Sequence, residues 1–200
     1  MRNAVLLIGA ETPTPNLREQ IKAARAAASG KTIAVLCESV VRRLSRDELE
    51  ELAQIEVVLT PYPAKGEACA ALLAAEWIDN DEELILLSGE EEVFDLAAFA
   101  ARFRVRGLAA GLIARPFDGA GANLRVDARG QVMEASCRRP VGEFAASGAF
   151  WFARGRDFVA AAKDMIRKTP NQAEPYSLAP ALNELVLKDR AIGVQTAEAA

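Results

Sequence analysis

Histidine is absent from the 200 residues. That removes Ser-His-Asp triads, Cys-His dyads and His-ligated zinc, so general-base chemistry falls to carboxylate, lysine or tyrosine. Cysteine is scarce. Cys37, Cys69 and Cys137 are odd in number and far apart, which fits neither a metal motif nor a disulfide framework, and they read as small core residues. No apolar run is long enough to span a membrane. An excess of one charge is missing too. A net charge of -4 gives no basis for binding nucleic acid or an anionic membrane surface.

What is present is a core. A hydrophobic fraction of 51% with 26% charged residues suits one globular domain over residues 1–200. Residues 1–9 look superficially like a short signal peptide. Their apolar run is brief, and Glu11, Pro13 and Pro15 follow, so a first core strand fits better and the cytoplasm is the expected compartment.

Apolar runs predict strands at 5–8, 32–37, 55–59, 83–88 and 108–114. Helices are expected between them. Asn16 with Glu19, and Ser45 with Glu48, have capping-box spacing, and Asp95 is placed to cap a helix through Phe103. A helix is expected over 67–78, with Ala71, Leu72, Ala75 and Ile78 inward. Such alternation implies a mixed, mostly parallel sheet flanked by helices: a Rossmann-like α/β domain. The pattern then changes. Residues 123–127 and 131–135 flank Ala128-Arg129-Gly130 as a hairpin. An aromatic strand at 147–153, helices at 157–168 and 179–187, and a last strand at 191–195 complete the chain.

Several short motifs occur in a telling order: Lys65-Gly66-Glu67, Asp79-Asn80-Asp81, Ser88-Gly89, residues 127–132, Ser147-Gly148-Ala149-Phe150-Trp151-Phe152, Arg156-Asp157-Phe158 and residues 180–185. In order and spacing, over about residues 31–195, they resemble the sugar-1-phosphate nucleotidyltransferases of capsule and lipopolysaccharide synthesis, which have the nucleotide-diphospho-sugar transferase fold. The resemblance implies a nucleoside triphosphate, a sugar 1-phosphate and Mg²⁺. It also implies chemistry made of positioning and charge neutralisation.

The implied nucleotide contacts are Gly9, Lys65, Gly66, Glu67, Ser88 and Gly89. A glycine at 66 would let a flat base approach the backbone; it also reads as a plain helix N-cap with Glu67 in the first turn. The implied sugar-phosphate contacts are Arg138, Arg139, Gly148 and Glu174, with Tyr176 and Asn183-Glu184 nearby and Cys137 where the family has Glu. Arg138 and Arg139 together offer a bidentate phosphate grip.

The catalytic parts depart from the family pattern. The loop after the first strand keeps only Gly9, with Glu11, Pro13 and Pro15 where a phosphate cradle belongs. Arg18 reads as a displaced phosphate contact or as a solvated helix residue. The family's metal-binding Asp after the fourth strand is replaced by Gly89, and Glu90-Glu91-Glu92 follow as an acidic loop. The family's second metal carboxylate follows the last strand, and residues 195–200 contain no such Gly-Thr and Asp segment, so the domain is expected to be truncated relative to the family.

The sequence therefore leads to a degenerate nucleotidyltransferase-like protein. A ligand-sensing or partner-binding pseudoenzyme of sugar-nucleotide or surface-polysaccharide metabolism is the first expectation. An active Mg²⁺-dependent sugar-1-phosphate nucleotidyltransferase using Glu90 or Asp95 is the first alternative, and a non-catalytic oligomeric scaffold the second. The expected partners are a nucleotide or nucleotide sugar, and a protein or a second copy of the chain.

Overall fold

The computed structural model describes residues 3–9, 16–88, 94–170 and 172–196. Strands β1 (Asn3–Ile8), β2 (Thr32–Cys37), β3 (Glu56–Thr60), β4 (Glu83–Ser88), β5 (Ala110–Pro116), β8 (Phe144–Phe152) and β9 (Ile192–Thr196) form one sheet in the order β3-β2-β1-β4-β8-β5-β9. The hairpin β6 (Asn123–Val126) and β7 (Val132–Ser136) attaches through β6 to β8. Strands β1 to β4 are parallel neighbours along this path, and β5 and β9 are parallel. Both β4 and β5 pair antiparallel to β8, so every strand of the path except β8 runs one way. The expected mostly parallel sheet is present.

The strand sequences explain their places. Residues 84–87 (Leu-Ile-Leu-Leu) and 33–36 (Ile-Ala-Val-Leu) have no polar face, as a strand covered on both sides requires, and each is buried throughout. One side of the sheet packs Leu6, Ile33, Leu86, Leu112 and Phe152 against α4 (Glu67–Leu72), α7 (Gly155–Lys168) and α8 (Leu182–Val186). The other packs Val5, Leu7, Ile85 and Trp151 against α1 (Leu17–Ala27) and α6 (Leu96–Arg104). Phe103 stacks on Trp151 at 5.9 Å and meets Phe99 edge-on at 5.1 Å.

Two predicted caps form. Ser45 accepts from the Glu48 N–H, while Glu48 accepts from the Ser45 N–H, a capping box for α3 (Arg46–Leu52). Asp95 accepts from the Ala98 N–H at the start of α6. The Asn16 box does not form. Asn16 is the N-cap of α1, but its φ of -112° and ψ of 20° lie outside the extended region from which a side-chain oxygen reaches the first turn. The helix expected over 67–78 is two short helices, α4 and α5 (Ala75–Ile78). Leu73 and Ala74 donate to Ala70 and Ala71, a tighter turn that buries Ala74 where Ala75 was expected.

Two of the motifs picked out in the sequence serve as struts. Arg156 binds Asp81 at 2.6 Å, and the Arg156 and Gly155 N–H groups donate to the Asn80 and Glu82 carbonyls. A Cβ at Gly155 would stand 2.0 Å from the Ile78 carbonyl oxygen, so only glycine lets α7 start this close to α5.

Glu83 opens β4 with 2% of its surface exposed and holds both carboxylate oxygens against Arg104, at 2.7 and 2.6 Å. That pairing raises the Arg104 pKa further. Removing the partner strands a buried charge, which costs 3–5 kcal/mol in a fully buried pair. Arg104 remains partly in water, so Arg104→Ala should destabilise by about 2 kcal/mol, read as a lower urea midpoint. Pairing it with Glu83→Gln should recover part of that loss.

Candidate functional site

The parallel strands β1, β2, β3 and β4 end along one rim of the sheet, at Gly9, Cys37, Thr60 and Ser88. In open α/β sheets this carboxyl rim is where ligands bind, beside the point where strand order reverses. Here the reversal lies between β1 and β4. A cavity of about 400 Å³ opens at this rim, floored by Gly9 and Cys37 and walled by Thr60, Lys65, Glu67 and Pro175.

The loop that walls it is fixed by the distant segment at Tyr176. The Tyr176 N–H donates to the Lys65 carbonyl, and the Ala68 N–H donates to the Tyr176 carbonyl. Gly66 sits at φ 96°, and a Cβ there would lie 2.4 Å from the Tyr176 nitrogen. Its glycine is therefore required by the protein's own main chain, in addition to lining the cavity. Gly66 is also the N-cap of α4, with Glu67 in the first turn.

Glu67 turns to the tip of β4, where the Ser88 hydroxyl donates to its Oε1 at 2.7 Å. Lys65 Nζ donates to the Gln172 carbonyl at 2.7 Å and stands 5.6 Å from the Tyr176 ring centre. Four of the six predicted nucleotide contacts, Gly9, Lys65, Gly66 and Glu67, thus share one cavity, and Ser88 is bonded to it. Gly89 lies outside the described residues, as do Glu90 to Glu92 and the loop carrying Glu11, Pro13 and Pro15.

The predicted sugar-phosphate residues do not converge. Arg138 and Glu174 line a second cavity of about 280 Å³ that shares Pro175 with the first. They pair with each other at 3.5 Å, and Arg138 also donates to Gln172 Oε1 at 3.3 Å. Arg139 turns back along β7 to Glu134 at 2.7 Å. The two guanidinium groups diverge because each finds a different acid, so the joint phosphate grip is not formed. Gly148 lies within β8, where the pairing with β5 shifts register, and lines neither cavity. Arg18 is absorbed by Asp47 at 3.2 Å and Glu51 at 4.0 Å between α1 and α3.

Asp95 gives Oδ1 to the cap of α6 and lines neither cavity. Among the described residues no three acidic or cysteine side chains converge as a metal-ligand set. Among the described residues Glu67 is the one acid that lines this cavity, and a Mg²⁺ site resting on it would draw its other ligands from phosphates and water.

Cys37 is buried in the core, as its sequence reading has it, and it also lines the cavity. The Ser39 hydroxyl donates to its sulfur at 3.3 Å, and this bond, with the Ser39 backbone, lowers the thiol pKa against the opposing effect of burial. Cys137 shifts the other way. Neighbouring atoms desolvate its sulfur, and this outweighs the hydrogen bond with Ser177, which lowers the pKa. Spacing in the sequence carries no signal for either contact.

No protein-family model matches the chain, and no curated protein matches it by sequence. Solved structures do match. A nucleoside-diphosphate-sugar pyrophosphorylase from Vibrio cholerae RC9 superposes with a TM-score of 0.69 at 13% identity, over 98% of this chain and 91% of that one. The inositol-1-phosphate CTP transferase from T. maritima superposes with a TM-score of 0.67 at 14% identity, over 98% of this chain and 85% of that one. The resemblance expected from the motifs is met at the level of architecture: the chain has the nucleotidyltransferase-like fold of these two structures.

Proposed function

We propose that this protein binds a nucleotide or nucleotide sugar in the rim cavity and acts as a sensor rather than as a fast transferase, in sugar-nucleotide or surface-polysaccharide metabolism. The observation that carries this reading is the meeting of Gly9, Lys65, Gly66 and Glu67 around one cavity at the carboxyl ends of β1, β2 and β3. The names of the two structures with this fold agree with the ligand class. Against fast transfer stands the sequence, with glycine at the position of the family's first metal carboxylate.

Binding would exchange partners at the wall. Lys65 spends its ammonium on a neutral carbonyl, and a phosphate oxygen offers it a stronger, charge-assisted bond. The Arg138–Glu174 pair is exposed on both sides, so it costs little to open.

One observation favours a second reading. Glu67, bonded to Ser88, carries a carboxylate to the tip of β4 just before Gly89, the place from which the family's Asp is missing. If Glu67 stands in for that Asp, a Mg²⁺-dependent transfer survives.

Thermal melts with nucleoside triphosphates and nucleotide sugars, each with and without Mg²⁺, separate the readings. A ligand at a hundred times its Kd stabilises by about 2.7 kcal/mol. A shift without metal is the expected result. A shift that requires Mg²⁺, together with pyrophosphate release abolished in Glu67→Gln, would establish the second reading, and no shift with any ligand would reject both.

Lys65→Ala should weaken binding of the responding ligand by about tenfold, the loss of one charge-assisted bond, while the unliganded melting temperature moves little. Cys37 supplies a label when the cavity wall opens, since the residue itself is only 6% exposed. Its lowered pKa should let iodoacetamide modify it at a lower pH than Cys69, whose thiol burial pushes up. Bound ligand should slow that reaction, and Ser39→Ala should move it to higher pH, both read by mass spectrometry.

A further inference from the structure

Strand β3 ends the sheet, and among the described residues nothing pairs with its outer edge. Its backbone polarity can be worked out. Val5 N–H donates to the Lys31 carbonyl and Gly9 N–H to the Val35 carbonyl, so Lys31, Ile33 and Val35 present their polar groups to β1. Thr32, Ala34 and Leu36 then face β3. Since Ala34 is in register with Val57 and Leu36 with Leu59, the residues of β3 that bond β2 are Glu56, Val58 and Thr60. The N–H and C=O groups of Val57 and Leu59 point outward.

The outward set stops at those two residues. The Ile55 N–H is already spent on Leu52, and Pro61 has none. The side chains on this stretch are apolar as well. Val57 is 37% exposed, Leu59 53% and Tyr62 79%, and Leu49 on the preceding helix is 43% exposed. Half of the large apolar side chains that stand exposed on the described surface fall within residues 49–62. Native sheets protect such edges with lysine, proline or a bulge, and none lies within β3.

We infer that β3 is the seam of a two-fold homodimer, in which β3 pairs antiparallel with β3 of a second copy about an axis through Val58. That axis sets Val57 opposite Leu59 of the partner subunit. Antiparallel partners of this kind exchange both bonds, so the N–H and C=O of Val57 meet those of Leu59, and symmetry repeats the exchange. The side chains of Val57 and Leu59 then cover each other on the face opposite Val58, which already packs beneath its own sheet. Charge permits it. Glu56, the one charged residue of the strand, falls opposite Thr60 rather than another Glu56, and Lys31 neutralises it at 3.4 Å.

A copy of this strand fits the edge because its two-residue donor-and-acceptor set pairs with itself, its apolar side chains cover each other and no like charges meet. This inference stands independently of what the rim cavity binds.

Light scattering across a concentration series should show the mass rising from 21.4 kDa towards twice that value. Leu59→Lys places a charge in the seam and should weaken association by about tenfold or more, with unchanged circular dichroism. Val58→Cys should give a covalent dimer on non-reducing gels, because Val58 faces Val58 of the partner subunit at a non-hydrogen-bonded position where the Cβ atoms are about 5 Å apart. The native sequence, with its own three cysteines, is the control. A mass fixed at the monomer together with no Val58→Cys cross-link would overturn the inference, as would a dimer unaffected by Leu59→Lys. Capture of an extended peptide by a monomer would overturn it too, in favour of a different occupant.

Discussion

Two backbone hydrogen bonds, Tyr176 to Lys65 and Ala68 to Tyr176, hold the candidate site together. They join segments more than a hundred residues apart in the chain, and they do so where Gly66 leaves no room for a side chain. The Lys65–Glu67 side of the cavity wall hangs from this joint. It sets where Lys65 can reach, and it brings Pro175 to the boundary of both cavities. It also starts α4 so that Glu67 turns to Ser88. A backbone joint of this sort tolerates most changes of side chain but not the loss of the glycine.

Behind that joint, β8 is what makes the two halves of the chain one body. Its Phe150 is in register with Leu86 of β4 on one side and Leu112 of β5 on the other. The strand runs against its neighbours, which places its aromatic end deep between helices, with Phe152 against Phe158 and Trp151 against Phe103. Burial of these rings on both faces fixes the sheet and leaves the carboxyl rim of the parallel strands as the open, polar end. The electrostatics follow from that division. Buried Glu83 needs Arg104 because water cannot reach it, while the rim cations are held by weaker, exposed partners and can be redirected.

Most of the strands were legible because their chemistry is local. Fully apolar runs at 32–37 and 83–88 have only one comfortable place, a strand covered on both faces, and the structure matches both. Ser45 and Glu48 formed their box because the backbone there is extended at the cap, whereas Asn16, with the same spacing, failed because its backbone is not. The site was half legible. Gly9, Lys65, Gly66 and Glu67, grouped by the resemblance, line one cavity. Arg138 and Arg139 take different acids, since neighbours in sequence on an irregular segment need not point together once Glu134 and Glu174 compete for them.

By itself, then, the sequence determined the alternation of strands and helices and the absence of histidine chemistry, because each of these resides in residue identity and short-range periodicity. Only the tertiary structure decided that Glu67 reaches Ser88, that Cys37 walls a cavity, that Tyr176 anchors the loop at Lys65, and that β3 is left at an edge with Val57 and Leu59 bare. Those are contacts between distant segments. Strand order and the direction of each backbone bond set them, and no local pattern encodes either.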